Sequence, residues 1–302
     1  MSLNRPSDLT FELSNSGSPE VRAEGASDKK LQRAEGAGRI VVGGPEKSAR
    51  VVNVFQQAPI RILFPRVSGN SPDEAVIVNT SGGIAGRDRI EFCVTALANA
   101  SIAVTSQAAE KVYRALNEPA RIATKLKACA GAKLAWLPQE TIIFNRARLS
   151  RETEIDLSAR AELLALEWLV LGRAAHGEEV GGGYISDRWR VRKDDRLIWA
   201  DGFLATEETF PHLHRRALLS NCKALATLIY FGPHVDARLE FLRDIAPSPQ
   251  CHCAATSVSG IIVIRFAAKV ISDLKRALRG LLEQFGGELG AGPFCVPKMW
   301  SC

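Results

Sequence analysis

Short runs in which apolar and polar residues alternate recur along this chain from Val51 onward, and no other feature constrains its fold as tightly. Ile90, Phe92 and Val94 alternate with Glu91, Cys93 and Thr95, and Ile122, Thr124 and Leu126 alternate with Ala123, Lys125 and Lys127. Thr153, Ile155 and Leu157 alternate with Glu154 and Asp156, and Trp189 and Val191 with Arg190 and Arg192. A period of two sends successive side chains to opposite faces, so each run reads as a half-buried strand. Gly, Pro and Asn separate the runs, which predicts a mainly antiparallel, layered, mainly β body of many strands. No internal repeat is clear enough to declare a solenoid. At 302 residues and 46% hydrophobic, the chain can bury a large core without metals or disulfides.

Two regions break the pattern. Leu274, Ala277, Leu278, Leu281, Leu282 and Phe285 recur at helical spacing, with Ser272 or Asp273 at the N-cap and Gly286-Gly287 beyond the end. A second helix is expected over Leu213 to Leu228, with Pro211 as its start signal. Ala161 to Leu171 suits either a buried helix or a long strand. Residues 1–48 are rich in Ser, Gly, Glu and Lys, and such a stretch cannot offset its ordering entropy by burial, so a disordered tail is expected there.

Lys and Arg exceed Asp and Glu by 39 to 33, but acidic residues interleave with the basic ones even between Arg188 and Arg196. No phosphate-binding stripe results, and nucleic acid is not an expected partner. The most apolar stretch, Ile245 to Ile264, contains Pro, Gln and His and is closed by Arg265, so no membrane span is expected. The N-terminus lacks a signal-peptide pattern, and the seven cysteines are scattered without a disulfide framework. A cytoplasmic location is the expectation.

The sequence holds no phosphate-binding GxxxxGK[ST] loop, no GxGxxG, no HExxH and no GxSxG. Its sharpest local feature is VNTSGGIAGRDR, Val78 to Arg89. Gly82, Gly83 and Gly86 imply positive φ or close backbone approach, and they fit either a structural link between strands or a surface loop that contacts a partner. Asp88 and Arg89 belong to the same candidate surface. Glu140 follows Pro138 at the mouth of a β-type run. Glu167 lies among Leu and Trp, where a carboxylate is costly unless paired, hydrated or coordinated. One reading pairs it with Arg173; the other places it in a water-filled passage that meets a cation. Cys251-His252-Cys253 offers two thiols and an imidazole, but a strand would splay them to opposite faces, and incidental use is the simpler reading.

VNTSGGIAGRDR, TSQAAEKVYR (105–114), WLPQETIIF (136–144), LGRAAHGE (171–178) and the closing PKMW occur in this order. Together they resemble the UreD family of urease accessory proteins, also called UreH, from about Val51 to the end. The chain departs from the family pattern at Thr80-Ser81, where a proline is expected, and at Arg87, where a glycine is. It also carries Asn145-Arg146 where the family tends to have Asp-Gly.

The resemblance implies a single β-rich domain over 49–302 and a maturation factor with no catalytic residues of its own. It also implies three partners: apo-urease, the helical accessory protein UreF and the GTPase UreG. Such a chaperone assembly inserts nickel into the dinuclear urease centre. No permanently bound cofactor is expected, only transient nickel(II). Glu140 and Glu167, with Thr105 and Gln107 as neutral oxygen donors, are the candidates for a loose conduit, since carboxylate and water ligands suit an ion that must be released. A scaffold without nickel passage, docking partners through 213–228 and the C-terminal helix, is the alternative. A remote one is a glycosidase that uses Glu140 and Glu167 as acid and base across a cleft.

Overall fold

Alternating side chains along a strand build a two-faced ribbon, and the computed structural model shows how these ribbons are stacked. It describes residues 33–44, 50–65, 74–245, 249–290 and 292–301. The strands are β1 (Glu35–Gly43), β2 (Arg50–Gln57), β3 (Ile60–Leu63), β4 (Glu74–Asn79), β5 (Arg89–Ala96), β6 (Ser101–Ser106), β7 (Glu110–Val112), β8 (Ala120–Ala128) and β9 (Lys133–Trp136). They continue as β10 (Thr141–Ile143), β11 (Arg148–Leu157), β12 (Glu162–Leu171), β13 (Tyr184–Lys193), β14 (Arg196–Ala205), β15 (Ala224–Phe231), β16 (Cys251–Val258) and β17 (Ile261–Ala268). Two α-helices are described, α1 (Val235–Asp244) and α2 (Ile271–Glu288).

The first sheet has seven strands in the order β14-β13-β11-β8-β5-β1-β2; the second has ten, eight running from β16 through β17, β15, β12, β9, β6 and β4 to β3, with β10 pairing β12 and β7 pairing β10 off that path. From β4 to β13 the chain alternates between the two sheets, and each return to a sheet adds a strand parallel to the last. Thus β1, β5, β8, β11 and β13 pair in parallel, as do β4, β6, β9 and β12. The stacking is solenoid-like, closed at its ends by antiparallel strands such as β14 and β15. The mainly antiparallel expectation is therefore corrected for the central coils. Alternation reports only that one face of a strand is wet. Parallel sheets usually have both faces covered, but here the outer face of the first sheet is exposed, so its parallel strands alternate like antiparallel ones.

One apolar core fills the space between the sheets, with rows such as Ile40, Val94, Leu126, Ile155 and Val191. A second core lies between the other face of the second sheet and the helices, and it contains Leu164, Leu166, Trp168, Leu274, Leu278, Leu282 and Phe285. The expected C-terminal helix is α2, whose apolar stripe makes that contact, but its N-cap is Val270 rather than Ser272 or Asp273, and it runs through Gly286-Gly287 to Glu288 instead of ending before them. Ala161–Leu171 resolves as a strand because both of its faces are buried, one in each core.

Two further expectations need correction, and one helix was missed. Leu213 to Leu228 is not a helix: Pro211 lies within a 3-10 turn (Phe210–His212), Ser220 and Asn221 take positive φ (48° and 65°), and from Ala224 the chain is β15. Positive φ at two consecutive residues cannot continue a right-handed helix, and the run from Ala224 is buried on both faces as a central strand. The helix α1 was not anticipated, although Val235, Leu239 and Leu242 have its spacing. Finally, β1 lies inside the stretch read as a tail. Its few apolar residues hid it, yet Gly36 and Gly38 let it sit against Ile60, where a Cβ would come within 2.9 and 3.1 Å. Residues 1–32 lie outside the described residues.

Candidate functional site

The inward-facing positions of the first sheet form rows across its strands. One row runs Ile90, Ile122, Arg151, Asp187, so two charged groups stand where their neighbours are aliphatic. Facing them from β12 is Glu167, beside the break between Trp136 at the end of β9 and Thr141 at the start of β10. The guanidinium of Arg151 is 2% exposed and donates from Nε to Asp187 Oδ1 (2.9 Å) and from Nη2 to Oδ2 (2.6 Å). Its Nη1 donates to Glu167 Oε2 (2.6 Å) and to Thr141 Oγ1 (3.1 Å), and the Trp136 indole N–H donates to Glu167 Oε1 (2.9 Å).

One cation between two carboxylates leaves the cluster one negative charge in excess. Burial pushes the Glu167 carboxyl above its ordinary value of 4.5 and Asp187 adds to this, while Arg151 and Trp136 pull the other way. Breaking such a buried network by deleting the cation costs about 3–5 kcal/mol.

Two cavities meet at this cluster. The first, ≈ 230 Å³, is lined by Glu167, Arg151, Thr141, Thr124, Gln107 and Glu110, and it reaches Gly82 and Gly83. Burial raises the Glu110 carboxyl, although the Asn79 amide donates to it at 2.9 Å. The second, ≈ 360 Å³, is lined by Glu167 and Asp187 with Thr227, Arg265, Phe203 and His252. Glu167 is common to both. Among the described residues, no group of three or more His, Cys, Asp or Glu is placed to hold a metal ion.

The UreD urease accessory protein family model matches residues 34–301, nearly the whole chain. This chain belongs to the UreD family. A Xanthobacter autotrophicus protein named urease accessory protein UreD is 41% identical over 270 residues, covering 89% of this chain and 91% of that one. Proteins of the same name from Chelativorans sp. and Agrobacterium fabrum are 37% and 38% identical, each covering 93% of this chain and 99% and 97% of their own lengths. The match beginning at residue 34 takes in β1 and agrees with its place in the first sheet.

Against this UreD frame, the four conduit candidates divide between the two faces of the second sheet. Glu167 and Gln107 line the cavity between the sheets. Glu140 instead reaches Lys275 of α2 on the helix side (2.8 Å), leaving Oε2 buried without a partner. The Thr105 hydroxyl donates to the Leu137 carbonyl (2.7 Å), and Leu137 belongs to the helix-side core. Glu140 and Glu167 thus do not face each other across one cleft, as a glycosidase acid and base must. Arg173 is not the partner of Glu167; it pairs with Glu178 (2.8 Å).

In the glycine loop, a Cβ on Gly83 would meet the Tyr113 ring at 2.5 Å, and one on Gly86 would meet Ala115 and the Glu118 carbonyl at 2.6 Å. Asp88 is buried and accepts from the Ala34 and Ala85 N–H groups (2.9 and 2.8 Å). These residues secure the loop. Gly82, with nothing near its missing Cβ, borders the cavity, and Arg89 faces solvent beside Glu35. Cys251 and Cys253 pack toward the helix-side core while His252 is exposed at the second cavity, the splaying expected of a strand.

Arg151, Asp187, Thr141 and Trp136 were not singled out from the sequence, but a signal existed. Arg151 shares the phase of Thr153, Ile155 and Leu157, and Asp187 that of Ile185, Trp189 and Val191. A charge in the apolar phase of an amphipathic strand is a buried charge that needs a partner.

Proposed function

We propose that this chain is a urease maturation factor that binds apo-urease and, with a UreF-type helical protein and a UreG-type GTPase, delivers nickel to the dinuclear centre. Membership of a family named for its accessory role to urease supports the maturation role. The observation that carries nickel passage is Glu167, a buried carboxylate that lines both cavities between the sheets. Single carboxylates and neutral oxygens such as Gln107 suit Ni(II) in transit, because transport needs ligands weak enough to release the ion. Glu140, on the helix side, serves the docking of α2 in this reading.

The scaffold reading has one observation in its favour: Glu167 already has a cationic partner in Arg151. Nickel content and activity of urease, made with every other urease component present, distinguish the cases. Urease made without this chain is expected to be nickel-poor and inactive, and to recover when the chain is restored. Equal loading in both at limiting nickel overturns the maturation role. A Glu167→Gln chain that still assembles with its partners but activates poorly supports passage; normal activation supports the scaffold.

A further inference from the structure

Beside Glu167, the carboxylate common to both cavities, stands a cation that belongs to the protein. Arg151 spends four hydrogen bonds on Asp187, Glu167 and Thr141, and its guanidinium fills the space between the two carboxylates. Packing does not require it there, since the same row carries Ile122 and Ile90 one and two strands away. The two carboxylates and the Thr141 hydroxyl are oxygen donors that face the one guanidinium, Asp187 along its Nε/Nη2 edge and Glu167 and Thr141 at Nη1, and oxygen is a donor type that Ni(II) and other first-row divalent ions accept. A divalent ion in place of the guanidinium would carry one more positive charge and cancel the cluster's net negative charge. A separate observation points the same way. Thr124 is 1% exposed, lines the cavity that Arg151 and Glu167 wall, and its Oγ1 is buried without a partner.

We propose that Arg151 is a latch occupying a latent divalent-cation site made by Glu167, Asp187 and Thr141. The inference rests on the nickel-passage reading and adds its regulation. With the guanidinium in place, the junction of the cavities is closed and the site is taken. An ion that crosses must displace Arg151 from Glu167, the more weakly held of the two carboxylates. The passage is thereby kept shut to an ion arriving at low occupancy.

Titration of the purified full chain with nickel chloride, read by calorimetry and equilibrium dialysis, tests the latch directly. Arg151→Met is expected to gain one equivalent of Ni(II) bound roughly tenfold more tightly than in the parent chain, as two buried carboxylates lose their counter-charge. Adding Glu167→Gln and Asp187→Asn is expected to abolish that gain. A folded Arg151→Met chain, judged by circular dichroism, that binds nickel no better than the parent overturns the proposal. Should Arg151→Met fail to fold, Arg151→Lys decides. It keeps the charge as a shorter point cation without the two-bond grip, and is expected to bind nickel about threefold more tightly than the parent; unchanged affinity overturns the latch. Urease activation by Glu167→Gln separates the two ideas. Normal activation there refutes passage, whereas impaired activation with no gain in the Arg151 variants refutes only the latch.

Discussion

Arg146 takes φ 60° and Arg87 takes φ 75°, and these are the two arginines standing where the resemblance led glycine to be expected. A side chain in the left-handed region costs about 1–2 kcal/mol, and glycine's larger unfolded-state entropy returns part of any gain. Arg146→Gly is therefore expected to stabilise the chain by about 0.5–1 kcal/mol, seen as a higher urea midpoint at unchanged slope. No gain would mean that the exposed Arg146 side chain contributes more than its position suggests. Glu167 gives a prediction with a sign in pH. Its folded pKa lies above 4.5, so the stabilisation from holding its proton is complete below about 4.5 and is lost as pH rises through the folded value. The stability of the parent chain relative to Glu167→Gln should therefore fall as pH is raised from 4 toward neutrality. A difference flat in pH, measured by urea unfolding at each pH, would place the excess charge elsewhere. The partner of Glu167 was not legible from the sequence, because the residue that reaches it comes from the opposite sheet and only the nearer Arg173 was in view.

Elements whose period carries one meaning were legible; those that depend on a neighbour were not. The stripe of α2 has only one solution, and its glycines are separable by what they touch. A Cβ on Gly280 would meet nothing within 4 Å, whereas one on Gly286 would lie 2.5 Å from the Phe294 carbonyl oxygen. Gly280→Ala is thus expected to stabilise by roughly 0.5–1 kcal/mol through helix propensity, and Gly286→Ala to destabilise by about 1–3 kcal/mol through overpacking. Thermal melts of the two variants moving in the same direction would contradict the docking of α2 against 292–294. The opposite case is β15, whose apolar residues Leu225, Leu228 and Ile229 permit a helical reading until β12 and β17 are known to flank it. The parallel pairing of the coils was hidden for the same reason, since strand direction resides in the partner and not in the alternation.

At the scale of the whole molecule, the solenoid-like stack explains how a mostly apolar interior can hold a polar line. Each coil contributes one inward residue to a row, so changing a single phase position changes the wall without disturbing its neighbours. Thr124 is such a position: Phe92 and Thr153 flank it in the row, and its hydroxyl is unpartnered. Thr124→Leu removes a buried hydroxyl that has no hydrogen bond, a group whose burial costs about 1–3 kcal/mol, and it turns a larger, wholly apolar side chain toward the ≈ 230 Å³ cavity. Stability should therefore hold or rise. Transport should suffer, because an apolar constriction expels the water an ion needs. Urease activation at limiting nickel is expected to fall roughly tenfold, equivalent to about 1.4 kcal/mol, while the melting temperature does not fall. That opposition is what gives the experiment its force. A scaffold answers only to its fold and its outer surface, so a stable chain with an unchanged exterior would activate normally, and that result would remove nickel from the interior of this protein.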